Sequence, residues 1–370
     1  MSNNLLNSGS GLLRYVLGRL IRCDLMLVSL VMTLSTIGFI TLFSAGYSFP
    51  WRIEDQLRNI LVAGTVMLLF AMIPIRLLKK VSLPIFLAGC LLLLATHFFG
   101  VTVKGATRWL NVGIRIQPSE IMKLGVPLML AWYYHVRGEH VAWWDHIVAF
   151  LFLAVPVGFI LKQPDLGTAV LVAIAGFSVI FFAGLNWKVI ALGVTGVLVS
   201  LPVVWNFLYD YQRERILTLI DPTNDPLGRG FHTLQSLIAI GSGGVFGKGW
   251  MEGTQAHLDF IPERTSDFLF AVFSEEFGFV GNIVLLVLYT LLIGRSFFIA
   301  ATASSRFARL LSASIGVIFF TYTFVNMGMV SGILPVVGVP LPFMSYGGTA
   351  LLILGMCSGV LLSVGIDSEA

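Results

Sequence analysis

Apolar runs long enough to cross a bilayer recur along this chain, and that pattern fixes the solvent in which it folds. A membrane helix needs about 20 apolar residues at 1.5 Å each to cover roughly 30 Å of hydrocarbon. Leu25 to Trp51, Val81 to Val103, Leu166 to Trp187 and Val189 to Tyr209 reach that length without a charge. The uncharged run Leu310 to Ile366 suffices for two spans with a turn at its Pro/Gly-rich centre. Weaker candidates are Asn59 to Ile75, Pro118 to Val136, His146 to Leu161 and Phe277 to Gly294. The expectation is an all-α polytopic membrane protein of about ten transmembrane helices, a single integral membrane domain over residues 1–370.

Composition agrees. Apolar residues make up 57% of the chain and charged residues 11%, against about 25% charged in soluble domains. A soluble enzyme, a disordered chain and a disulfide scaffold are excluded. The net charge of +4 comes from cations scattered between apolar runs, which points to topology control and not to nucleic acid. Cys23, Cys90 and Cys357 lie far apart in sequence, with no metal-ligand spacing.

Arg14, Arg19 and Arg22 precede a run too long for a signal-peptide core, so the first run reads as a retained span. With the N-terminus inside, the cytoplasmic loops collect Arg76, Lys79, Lys80, Arg137, Lys188, Arg295, Arg306 and Arg309. The positive-inside rule supports that orientation, and ten spans return the C-terminus to the cytoplasm. Lys104, Arg108 and Arg115 dissent by facing outward, which suggests a ligand for them. The one long connection, about 210–267, then lies outside, where a loop of that length carries function. Its uncharged middle, Gly230 to Gly247, is expected on or in the membrane surface.

Within this frame a few residues stand out. The run Gly241-Ser242-Gly243-Gly244-Val245-Phe246-Gly247-Lys248-Gly249 departs from a P-loop at both ends and reads as a flexible turn, with a phosphate nest as the alternative. Glu120 and Lys123 share one face of the helix that Pro118 opens; pairing offsets the cost of burying each, for a structural or a substrate-facing role. Asp165 suits an N-cap. Glu275 and Glu276 fall too deep to be surface charges and point to a break in the eighth span. Asp267, the last charge before Phe268-Leu269-Phe270, is either another N-cap or a poorly solvated carboxylate fit for a general base. Arg108, Trp109, Arg213, Arg215, Lys248 and Arg264 suit an anionic, sugar-bearing lipid.

In order and spacing these segments resemble the SEDS family of cell-wall polymerases. The resemblance is carried by Gly105-Ala106-Thr107-Arg108-Trp109, Gln117-Pro118-Ser119-Glu120, Gln163-Pro164-Asp165-Leu166-Gly167-Thr168, Asp210-Tyr211-Gln212-Arg213-Glu214-Arg215, the glycine run, Gly253-Thr254-Gln255, Pro262-Glu263, Asp267-Phe268 and Pro335 to Gly348. Val336-Val337 is similar to the elongation branch, whereas the division branch typically has Thr-Lys there. Thr265-Ser266 stands where many members have His-Thr, so an imidazole role does not carry over.

The resemblance implies a peptidoglycan glycosyltransferase of the bacterial inner membrane that polymerises lipid II outside the cytoplasm by inverting displacement. It implies Asp267 as catalytic acid, with Glu120, Lys123, Trp109 and Gln117 as further functional residues. A class B penicillin-binding transpeptidase and other elongation-complex membrane proteins are the implied partners. Arg213, Arg215 and Lys248 are expected to meet the leaving pyrophosphate, or else a divalent cation such as magnesium or manganese does so; no protein-held metal site is expected. The rival expectations are a lipid II flippase or transporter, which would work through charges inside its spans, and a scaffold without activity.

Overall fold

The computed structural model describes residues 18–103, 106–111, 115–207, 213, 214, 217, 219, 229–258, 260, 261 and 263–368. Three helices open it, α1 Leu25–Ala45, α2 Pro50–Met72 and α3 Ile75–Phe99. A small antiparallel sheet follows, β1 Val101–Val103, β2 Ala106–Asn111 and β3 Arg115–Ile116, with β2 in the middle. Then come α4 Pro118–Arg137, α5 Trp143–Lys162, α6 Leu166–Phe182 and α7 Trp187–Phe207. The long connection contributes α8 Arg229–Ser242 and the single turn α9 Thr254–His257. Three helices close the chain, α10 Leu269–Thr302, α11 Arg306–Val330 and α12 Gly348–Ser368.

Each of the ten expected spans coincides with one of the long helices. Seven, all but α4, α6 and α7, are long and apolar enough by themselves to cross a membrane. Local chemistry sets their starts. Asp24 accepts from the Leu27 amide at 3.0 Å and Ser305 from the Ala308 amide at 3.2 Å, while Pro50 and Pro118 occupy first turns, where a missing N–H costs nothing.

Polarity is inverted relative to a soluble bundle. Ser312, Ser314, Ser358 and Thr96 are wholly buried, whereas Leu91, Phe98 and Leu192 are at least 65% exposed. Helices in lipid associate through small residues and hydrogen bonds, because hydrocarbon offers no hydrophobic drive between them. Accordingly Ser314 of α11 donates to the Ala175 carbonyl of α6 at 2.8 Å. Gly355 and Gly359 of α12 let α2 approach so closely that a Cβ on either would meet the carbonyl of Ala63 or Met67.

The two ends of the bundle differ. At one end lie the ion pairs Arg19–Asp367 and Arg295–Asp24, the Lys79–His135 contact and the Arg306 bond to the Ala183 carbonyl. At the other, Arg264 donates to the Ala45 carbonyl and Arg108 to that of Pro164. The break expected at Glu275 and Glu276 is present, two residues farther on, at Gly278 (φ 64°, ψ −161°) inside α10. There the glycine run of the long connection pairs with the opened helix. The amides of Lys248 and Gly249 donate to the carbonyls of Glu275 and Glu276, and those of Phe279 and Val280 donate to Gly244 and Val245. The flexible-turn expectation is thereby corrected: the run supplies the backbone partners a broken helix lacks.

Candidate active site

Asp267 occupies the turn before α10. The N-cap of α10 is Phe268, without a side-chain cap bond, so Asp267 is not the cap residue. Its turn is held from two sides. Asn326, fully buried in α11, donates to the carbonyls of Asp267 at 2.9 Å and Val339 at 2.7 Å. One carboxamide thus joins the turn to the loop between α11 and α12. From the same loop the Tyr346 amide donates to the Thr265 carbonyl at 2.9 Å, and the Thr265 hydroxyl accepts from Arg52.

Asp267 lines a cavity of about 240 Å³. The first two turns of α4 bring Glu120 and Lys123 to its wall, with Gln117 just before them. The start of α6 adds Asp165 and Thr168, β2 adds Arg108, and the last loop adds Gly338 and Tyr346. Gly338 has φ +76°, and a Cβ there would stand 3.3 Å from Asp267 Oδ2. A side chain at that position would be strained and would crowd the carboxylate.

The Lys123 ammonium lies 2.5 Å from Glu120 Oε1 and also donates to the Tyr322 hydroxyl. Both charges are at least 92% buried, and Glu120 Oε2 has no hydrogen-bond partner among the described residues. A buried carboxylate oxygen without a donor is costly, and this one belongs to a residue on the cavity wall. Asp165 caps α6, taking the Thr168 amide at 3.2 Å and hydroxyl at 2.9 Å. It also takes Gln117 Nε2 at 3.2 Å and lies 3.6 Å from the Arg108 guanidinium. The expected cap is therefore a wall residue as well. Burial and the nearby Asp55 carboxylate push the Tyr346 phenol above its usual range, so it remains a donor.

Of the residues expected from sequence, the cavity brings together Asp267, Glu120, Lys123, Gln117 and Arg108. Trp109 is half-buried in β2, opposite Val101, and does not line it. Lys248 pairs with Glu275 at 2.6 Å at the α10 break. Arg213 donates to the carbonyls of Trp205 and Asn206, and Arg215 lies outside the described residues. Thr168, Gly338, Tyr346 and Asn326 were not singled out from sequence. Asn326 had a signal: it is the sole carboxamide in the uncharged run Leu310 to Ile366, and such a group is buried in a membrane only at a cost.

On the cavity wall Glu120 Oε1 is taken by Lys123, and Asp165 by Thr168, Gln117 and Arg108. Among the described residues no three His, Cys, Asp or Glu side chains come together as a ligand group.

The chain is similar to known proteins over nearly its whole length. The FtsW/RodA/SpoVE profile, described as a cell cycle protein, matches residues 17–369. The peptidoglycan glycosyltransferase MrdB of Escherichia coli K12 is 43% identical over 346 residues, covering 93% of this chain and 94% of that protein. A probable peptidoglycan glycosyltransferase FtsW of Geobacter metallireducens is 33% identical over 359 residues, covering 93% and 94%. The crystal structure of the rod shape determining protein RodA of Thermus thermophilus superposes with a TM-score of 0.71 at 30% identity, over 94% of this chain and 98% of that one. A chain described under "Structural coordination of polymerization and crosslinking by a peptidoglycan synthase complex" superposes with a TM-score of 0.80 at 32% identity, over 94% and 98%.

Proposed function

The chain belongs to the FtsW/RodA/SpoVE family, and from that premise we propose that it extends glycan strands with Asp267 as general base. It is a multi-pass membrane protein and a peptidoglycan glycosyltransferase. The substrate we assign is lipid II, whose sugar is joined to pyrophosphate and whose polyprenyl tail stays in the bilayer. The observation that carries the assignment is that Asp267 shares one polar cavity with the buried Glu120–Lys123 pair and Arg108.

In this reading the Asp267 carboxylate takes the proton of the acceptor's 4-hydroxyl as that oxygen attacks the donor's anomeric carbon. The bond from that carbon to the pyrophosphate oxygen breaks in line, inverting the centre, and the lipid pyrophosphate departs with the electron pair. Arg108 is the cation best situated to stabilise that leaving charge, since it lines the cavity and its buried Nε has no partner among the described residues. Lys123, paired with Glu120, lines the same cavity beside the transferred sugar. A cavity of about 240 Å³ is below the usual range for a small-molecule site, so it takes the reacting ends and leaves the peptide and tail outside.

The positive-inside pattern supports termini in the cytoplasm of the inner membrane and an outward-facing cavity. A class B transpeptidase is the partner assigned, by likeness to the synthase-complex chain. The transporter alternative would separate in-membrane charge from the loop acid, whereas Glu120, Lys123 and Asp267 face one space.

The test uses purified protein with its transpeptidase and labelled lipid II. Asp267→Asn is expected to lower polymerisation by about 10²–10⁴, the range for loss of a general base, without loss of folding or partner binding. Polymerisation at the normal rate would overturn the assignment.

A further inference from the structure

A second cavity, about 220 Å³, lies behind the first, and every residue lining it is apolar or glycine. Leu166 and Val170 of α6, Val325 of α11, and Leu334 and Pro335 of the last loop form its far side. Leu171, Val337 and Val339 line both cavities. The partition is thin because the loop rests on the start of α6: a Cβ on Gly167 would lie 3.0 Å from the Val337 carbonyl. Val170 is 43% exposed on the flank of α6, so the apolar cavity opens sideways toward lipid, whereas the polar one holds the charges.

We propose that the apolar cavity receives the first isoprene units of the lipid-linked substrate whose sugar end occupies the Asp267 cavity. The proposal rests on the glycosyltransferase reading and deepens it. A polyprenyl pyrophosphate changes from charged to hydrocarbon within a few bonds, and the Leu171, Val337 and Val339 partition makes the same change across one layer of side chains. A larger apolar groove of about 620 Å³, between Phe150, Phe177 and the first half of α7, shares no lining residue with the polar cavity. Continuity with the reacting groups therefore selects the smaller one. The tail docks with α6 and α11 on either side while its phosphate end meets Arg108.

The experiment fills the apolar cavity from its open side. Val170→Trp should lower polymerisation of a long-chain polyprenyl substrate roughly ten-fold, as expected if about two methylene groups lose their burial. Turnover of a substrate whose pyrophosphate carries a methyl ester in place of the polyprenyl chain should be unchanged, and Val325→Phe is the second variant should the first fold poorly. Independently of activity, a polyprenyl phosphate bearing a diazirine beside the phosphate should label peptides containing Val325 or Leu334 in vesicles, less so in Val170→Trp. Equal losses on both substrates, or labelling at Phe150 and Val194 instead, would overturn the proposal. If wild-type protein polymerised neither substrate, the glycosyltransferase reading would fall, and the labelling would still decide the tail site.

Discussion

Two acid–lysine pairs in this molecule each bury a carboxylate and differ in what surrounds it. At the α10 break, Glu275 takes the Lys248 ammonium at 2.6 Å, the Thr254 amide at 2.9 Å and hydroxyl at 3.1 Å, and the Gln255 amide at 3.2 Å. Both of its oxygens are used, since the Gln255 amide also reaches Oε2. At the cavity, Glu120 takes Lys123 at 2.5 Å on one oxygen, and the other has no donor among the described residues. Buried charge is stable when every lone pair is met. The saturated pair is a joint that fastens the long connection to a broken helix. The unsaturated pair keeps an acceptor for something that enters.

The largest expected separation follows from removing the joint. Glu275→Gln should lower unfolding stability by about 3 kcal/mol, the low end for breaking a buried pair because Lys248 retains some access to solvent. Thermal unfolding in detergent reads the loss, and the protein that remains folded should polymerise at the wild-type rate. A variant of normal stability that did not turn over would show that the joint belongs to the active site after all.

The next effect is a coupling. Glu120→Ala strands a buried ammonium and should destabilise the bundle, and Lys123→Ala on top of it should restore about 1–2 kcal/mol, since no unpaired charge is then left. Polymerisation should stay at the level of the worse single variant, because the cavity needs the charges even where the fold does not. Strictly additive stabilities would mean that the two side chains act separately, and the contrast with Glu275 would lose its basis.

The fold was legible in the chain because lipid imposes one length and one polarity on every span, and α1 to α7 and α10 to α12 answer that requirement. Asp267, Glu120 and Lys123 were legible as charge where charge is expensive. What escaped was convergence, which depends on contacts far apart in sequence. Lys248 carried the same signal as Arg108, yet one is pinned to Glu275 and the other faces the cavity. Asp165 read as a cap and is one, while its second oxygen, turned to Gln117, comes from tertiary packing. The glycine run could not be interpreted until Gly278 had opened the helix beside it.

The smallest expected effect separates strain from space. Gly332 and Gly338 lie in the same loop with φ of +69° and +76°. Alanine at either position should cost about 1 kcal/mol of stability from the left-handed backbone alone. A Cβ at Gly332 meets Leu237 at 3.4 Å, an apolar neighbour away from the cavity, whereas one at Gly338 meets the Asp267 carboxylate at 3.3 Å. Gly338→Ala should therefore lower kcat about three-fold, with KM nearly constant, because displacing the base by a few tenths of an ångström spoils the line of attack more than it spoils binding. Gly332→Ala should leave kcat alone. Equal losses of kcat in the two variants would trace the effect to loop strain, and the room beside Asp267 would then have no part in catalysis.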